Sequence, residues 1–241
     1  MASVIPSAVC RSFVSLATVA TLGATTALAG PSWDRDLEED ALETAVSAQL
    51  LTHPLGSVTT IFGRLSGYGL VGSDFVDMYR IRVQSPALVS ISTAGGSLGG
   101  EADFNTQLFI FRQKGGNGIN QRAVPWFAND DAGPGNSGSR LTDNSDLYDD
   151  KIYLSPGEYY IAITGVGMRA LGEDGLALWS DFGNPGDSVA GENGPLGSWA
   201  GDGETGSYAI RIQSGDANGI PSPGGLALLA LGSLTARRRR R

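Results

Sequence analysis

The chain has 241 residues, of which 41% are hydrophobic and 8% aromatic, with 35 glycines, one cysteine and one histidine. Its formal net charge is −8, from 17 Lys and Arg against 25 Asp and Glu, which excludes the basic footprint that nucleic-acid binding requires. A lone Cys10 and a lone His53 exclude a disulfide framework, a cysteine–histidine nucleophile pair and a multi-histidine zinc site.

Residues 1–29 read as a signal peptide that starts as an N-terminal signal helix. Arg11 precedes an almost wholly apolar or small run from Phe13 to Leu28. Ala27-Leu28-Ala29 meets the small-x-small rule, so cleavage is expected between Ala29 and Gly30. Residues 30–54 form an N-terminal arm. Within it, 34–50 places Leu37, Ala41, Leu42, Ala45 and Ala48 at helical spacing, with acids crowding the start. That stretch reads either as a helix or as a solvated arm. His53, just before Pro54, reads as a solvated side chain.

From residue 57 the pattern changes to short strands. SVTTIFGRL comes first, then VDMYRIRV (76–83), ALVSIST (87–93), TQLFIFRQ (106–113), AVPWFAND (123–130), KIYLS (151–155), EYYIAIT (158–164) and GSYAIRIQS (206–214). Runs rich in Val, Ile, Tyr and Phe, broken by Gly, Pro, Asn and Asp, predict an all-β sandwich or barrel over residues 55–214. In 76–83, alternation sets Val76, Met78, Arg80 and Arg82 on one face and Asp77, Tyr79, Ile81 and Val83 on the other. Tyr159 and Tyr160 must likewise point to opposite faces, which predicts that at most one of them is in the core. The stretch from Met168 to Gly206 is long and rich in glycine. Its length suggests a functional loop, a metal-ordered loop or local disorder.

Residues 215–223 form a linker that carries Pro221-Ser222-Pro223. Residues 224–236 are an apolar or small segment, closed by Arg237, Arg238, Arg239, Arg240 and Arg241. A short hydrophobic segment stopped by a basic cluster is held at a membrane with its arginines on the cytoplasmic side. As a helix this segment spans about 20 Å against roughly 30 Å of hydrocarbon. A short C-terminal membrane helix that anchors the chain transiently during sorting is therefore expected, with the body exported.

Carboxylates dominate the candidate sites. Asn129-Asp130-Asp131 directly follows a predicted strand and leads into AGPGNSGSR. Asp74 and Asp77 flank another strand start; Asp103, Asn105, Asp143, Asp146, Asp149 and Asp150 stand near others. Such oxygens suit calcium, which takes six to eight of them, but Asp and Asn also close turns without any metal. Both readings stay open. No catalytic residue is identified: there is no G-x-S-x-G elbow and no phosphate loop. Trp126, Trp179 and Trp199 could line a carbohydrate-binding face, although core packing suits aromatics in strands as well. Paired carboxylates doing the work of a glycoside hydrolase form a remote alternative.

The ordered strings GSDFVDMYRIRV, FNTQLFIFRQKGGNGI, FANDDAGPG, LSPGEYYIAITGVG and GPLGSWAGDGETGSYAIRI resemble the bacterial pre-peptidase C-terminal (PPC) domain, in the variety common in exported planctomycete-like proteins. The resemblance covers roughly residues 55–214. It implies a jelly-roll-like β-sandwich that serves as an accessory module or stands alone without known activity. By motif, it carries a calcium or turn role onto Asp74, Asp77, Asn129, Asp130 and Asp131. The tail is similar to the PEP-CTERM class of sorting signals, although the Glu that names the class is missing from Pro221-Ser222-Pro223. That resemblance implies an exosortase-like membrane protease as partner.

Together these readings predict a non-enzymatic protein of the cell surface, outer membrane or extracellular matrix. It would have a binding or structural role, with calcium as a candidate cofactor and an extracellular polysaccharide as a candidate partner. A carbohydrate-binding module is the alternative.

Overall fold

The computed structural model describes residues 32–34, 41–51, 58–68, 73–116, 120–143, 151–192 and 194–216. While 215 and 216 close β17, the signal peptide with Ala27 and Ala29, residues 217–223 of the linker, and the apolar tail segment lie outside the described residues. So do Pro221, Pro223, Arg237 to Arg241, His53, Asp146, Asp149 and Asp150. The two expected terminal helices therefore fall outside them too. Among the described residues there is no α-helix, and no helix long and apolar enough to cross a membrane.

The strands in chain order begin with β1 (Ser32–Asp34), β2 (Gln49–Leu50), β3 (Thr60–Leu65), β4 (Gly67–Tyr68), β5 (Ser73–Asp74), β6 (Val76–Val83), β7 (Ala87–Ser92) and β8 (Glu101–Ala102). They continue with β9 (Thr106–Lys114), β10 (Arg122–Asn129), β11 (Arg140–Leu141), β12 (Ile152–Leu154), β13 (Gly157–Gly165) and β14 (Arg169–Gly172). The last are β15 (Val189–Ala190), β16 (Leu196–Ala200) and β17 (Gly206–Asp216). Sheet one runs β1-β3-β17-β7-β11, with β8 also on β17 and β12 also on β7. Sheet two runs β15-β10-β9-β13-β6-β2. The pairs β4-β5 and β14-β16 stand apart as two-stranded ribbons.

The two sheets close on one apolar layer. Ile61 and Leu65 of β3, Val89 and Ile91 of β7, and Tyr208, Ile210 and Ile212 of β17 come from sheet one. Tyr79, Ile81, Leu108, Ile110, Ile161 and Ile163 come from sheet two. This is the packing of a β-sandwich, in which alternate residues of each strand enter the shared core.

Sheet two is buried on its other face as well. Met78, Phe109, Phe111, Ala123, Ala128, Tyr160 and Ala162 point away from sheet one and form a second core. Its cover comes from residues 166–206 and the N-terminal arm: Ala45, Ala48, Ala170, Leu178, Trp179, Phe182, Leu196 and Trp199. The stretch Met168 to Gly206, long enough in sequence to suggest a functional loop, a metal-ordered loop or local disorder, is thus a packed lobe built on the β14-β16 ribbon. Gly201 (φ 107°) lets the lobe close, because a Cβ there would sit 2.3 Å from the Gly167 carbonyl oxygen. A double core also corrects the expectation for the tyrosines. Tyr159 lies in the inter-sheet layer and Tyr160 under the lobe, both buried.

The described part of the N-terminal arm is neither helical nor solvated. β1 pairs in parallel with β3, and β2 pairs in parallel with β6. Ala41, Ala45, Ala48 and Leu51 are buried, while Leu42, Val46 and Leu50 are exposed. The reason for the lost helix is local competition. The Ser47 amide donates to Thr44 Oγ1 (3.2 Å) and the Thr44 amide to Ser47 Oγ (3.2 Å), a reciprocal side-chain turn. The amides of Met78 and Leu51 then tie the arm to sheet two, through the Ala41 carbonyl at 3.1 Å and the Arg80 carbonyl at 3.0 Å.

Candidate functional site

The strand register decides which predicted site residues can meet. Asn129 pairs with Leu108, Leu108 with Ile163, and Ile163 with Asp77. The four residues form one row across β10, β9, β13 and β6, all facing sheet one. Three inter-strand steps separate Asn129 from Asp77 by about 14 Å, with Leu108 and Ile163 in between. One cation cannot bind both.

Asp77 is fully buried. Its Oδ2 accepts from the Tyr208 hydroxyl (2.5 Å), which also lies 2.5 Å from the Tyr79 hydroxyl. Burial holds the Tyr208 phenol well above its ordinary pKa, and Tyr79 and Asp77 push it the same way. The phenol therefore stays protonated and donating. Gly63 makes room for this bridge: a Cβ there would lie 2.3 Å from the Tyr208 oxygen. Asp77 thus works inside the sandwich, linking sheet two to sheet one.

Asn129 is also fully buried. Its Nδ2 donates to the carbonyls of Asp131 (2.9 Å) and Asp187 (2.8 Å), and its Oδ1 accepts from the Arg140 amide (2.8 Å). One side chain holds the end of β10, the lobe and β11 of sheet one. Beside it, Thr93, Thr106 and Ser139 close the same end of the sandwich. The Thr93 and Thr106 hydroxyls are 2.7 Å apart, and Ser139 Oγ donates to the Thr106 carbonyl at 2.6 Å. These buried polar groups meet each other's needs, as burial demands. Asp74 is elsewhere, on β5, accepting from the Ser66 amide (3.0 Å) and hydroxyl (2.6 Å).

Past Asn129 the strand ends, and the next two residues leave the inter-sheet layer. Asp130 and Asp131 line a cleft of about 500 Å³ on the lobe side of sheet two. Gln107, Met168, Arg169, Trp179, Ser180, Asp181, Phe182 and Pro185 are among the other residues around it. Partial burial raises the Asp130 pKa, and the carboxylates of Asp131 and Asp181 raise it further. Trp179 is held by its indole N–H, which donates to the Val189 carbonyl (3.0 Å), and its ring packs on Phe109 and Phe111. The structure therefore brings Asp130 and Asp131 to one place and leaves Asp74, Asp77 and Asn129 outside it.

Sequence reasoning missed Asp181, Arg169 and Phe182 as neighbours of Asp130, because they lie across a long glycine-rich stretch. Only the length of that stretch hinted at a role. The aromatic candidates are occupied. Trp179 is buried, and Trp199 packs on Phe109 while donating to the Glu43 carbonyl (2.8 Å). Trp126 lies beneath the Arg112 guanidinium, 3.6 Å from the ring centroid, and stacks on Phe127 and Tyr159. No group of three or more His, Cys, Asp or Glu among the described residues is placed to hold a metal ion.

Residues 75–165 match the family model described as the bacterial pre-peptidase C-terminal domain. Domains of this type are non-catalytic β-sandwiches often found in secreted proteins. The matched stretch runs from the start of β6 to the end of β13. It includes Gln107, Asp130 and Asp131, whereas Arg169, Trp179, Asp181 and Phe182 follow it. Among solved structures, the pre-peptidase C-terminal domain of a collagenase from Bacillus anthracis is similar at 14% identity, covering 64% of this chain and 88% of that one, with a TM-score of 0.29. No curated protein matches the chain.

Proposed function

We propose that this protein is an exported, non-catalytic β-sandwich of jelly-roll kind that binds or scaffolds at the cell surface, at the outer membrane or in an extracellular matrix. The observation that carries this reading is where its polar groups go. Inside the sandwich, Tyr208 binds Asp77, and Asn129, Thr93, Thr106 and Ser139 bind one another and the neighbouring backbone, whereas Asp130 and Asp131 line an open cleft. An open, partly polar cleft of this kind is a place where a ligand can be held. The family match over β6 to β13 supports the same reading.

Export and placement follow from the two ends. Cleavage at Ala27-Leu28-Ala29 frees the mature chain. Pro221, Pro223, the apolar segment and Arg237 to Arg241 hold it transiently at the inner membrane for an exosortase-like protease. Fractionation of cells making the full chain, with mass spectrometry of both termini, tests this. A mature protein outside the cytoplasm, starting at Gly30 and ending near Pro223, is the expected result. A cytosolic chain with both ends intact overturns it.

Calcium enters this proposal at Asp130 and Asp131 alone, since Asp74, Asp77 and Asn129 are committed elsewhere. The melting temperature should rise in calcium relative to chelator, and Asp130→Ala with Asp131→Ala should remove the rise. Identical melting curves take calcium out of the account.

A further inference from the structure

The outer face of sheet one carries a trough whose two walls differ in kind. Strand register places Phe62, Ala209 and Glu101 in one row across β3, β17 and β8. Arg64 pairs with Ser207, whose carbonyl accepts from the Asp103 amide (3.2 Å), so Arg64, Ser207 and Asp103 make the next row. All six alternate with residues that enter the core, so they face away from it. Two inter-strand steps set the walls about 10 Å apart. Ser207 and Ala209 floor the space between them, which measures about 510 Å³. Phe62, 41% exposed, and Arg64 rise on one side, and Glu101 and Asp103 on the other. Arg64, Glu101 and Asp103 are exposed, and among the described residues no ion pair or side-chain hydrogen bond engages them. Arg211, one row further along β17, is already engaged, donating to Thr60 Oγ1 at 3.2 Å.

This patch complements itself. It holds a projecting ring and a hollow, and a positive wall and a negative wall at the same level of the sheet. We propose that the protein pairs with a second copy of itself through this face. A two-fold axis parallel to β17 turns β3 of one copy toward β8 of the other. Each Phe62 then enters the other copy's trough above Ala209, and each Arg64 meets the other copy's Asp103. Both contacts occur twice, as an isologous interface requires. Charge favours this face over the rest of the surface. The chain's net charge of −8 sets two copies against each other, but here Arg64 and Arg211 balance Glu101 and Asp103. An exposed aromatic beside an arginine is also the composition that interface cores favour. A patch on three strands falls below the roughly 800 Å² per partner of a standard interface. The dimer is therefore weak, with a Kd on the order of 10–100 μM.

The test is sedimentation velocity of the protein purified from cells making the full chain. Between about 1 and 500 μM it should pass from monomer to dimer. Phe62→Ala should weaken the dimer about tenfold. Arg64→Glu and Asp103→Arg should each leave a monomer, because each sets like charges against one another at both contacts. Mixed in equal amounts, these two variants should dimerise again, since opposite charges then meet at both contacts. Melting temperatures matching the parent at about 1 μM, where the parent is monomeric, separate lost pairing from lost folding. A parent chain that stays monomeric throughout overturns the proposal and leaves the face to another kind of partner. A dimer that survives both charge reversals overturns the choice of face. Folded variants that fail to pair when mixed overturn the two-fold arrangement.

Discussion

The outer faces of the two sheets contrast. On sheet one, β3 alternates: Ile61 and Leu65 face the core, while Phe62 is 41% exposed and Arg64 points to solvent. On sheet two, β9 buries Leu108, Phe109, Ile110 and Phe111 in succession, because the lobe covers the face that sheet one leaves open. The same chain therefore contains a strand written for one wet face and a strand written for two dry ones. A continuous apolar run is the mark of a strand buried on both sides, and here it reports a cover that is distant in sequence.

The largest effect should come from emptying the covered face. Phe109→Ala removes a ring that touches Phe111, Trp179, Phe182 and Trp199 and should cost about 3–5 kcal/mol in denaturant unfolding. Phe62→Ala on the open face should cost less than about 1 kcal/mol. Similar losses at the two positions would break the contrast. Asn129→Ala comes next. It leaves the carbonyls of Asp131 and Asp187 and the Arg140 amide without their partner, at a cost of about 3 kcal/mol, and should loosen the lobe together with β11. A smaller loss, about 2 kcal/mol, is expected for Tyr208→Phe, which takes the donor from Asp77 inside the sandwich and leaves the lobe in place.

The smallest effect is at the lobe margin. The Asp130 pKa is raised by burial and by Asp131 and Asp181. Above the ordinary carboxylate range, the folded chain therefore keeps this proton more tightly than the unfolded chain. Stability falls as pH rises through that window, and the loss persists at neutral pH. Asp130→Asn should remove the fall, so its melting temperature should gain on the parent between pH 4 and pH 7. The gain is expected to stay within about 0.5 kcal/mol, because the group keeps much of its contact with water. A variant that loses ground over the same interval would show that the carboxylate is stabilised where it sits.

The strands were the legible part of the sequence. The runs at 76–83, 106–113 and 158–164 correspond to β6, β9 and β13 because β-branched and aromatic residues between turn formers favour one local structure. Of the two readings of 34–50, helix or solvated arm, the helix is not what residues 41–50 form. Alanines at helical spacing can be buried equally well by a turn and a strand when Thr44 and Ser47 capture each other's amides. Tyr159 and Tyr160 escape period-two reasoning for a different reason: it assumes one core, and only the tertiary cover provides the second. At the site, Asp130 and Asp131 were found by composition. Asn129 looked equivalent to them, but one step of alternation turns it inward. Asp181 stood out of reach because its proximity to Asp130 depends on how the lobe folds back.

The central claim is that residues 166–206 belong to the fold as the second wall of sheet two. Native-state hydrogen exchange of the β14 and β16 amides tests it most directly. If the lobe is a wall, the amides paired between 169–172 and 196–200 should exchange only through openings nearly as costly as those of β9 and β13. Exchange of those amides within seconds, while β9 and β13 stay protected, would contradict it.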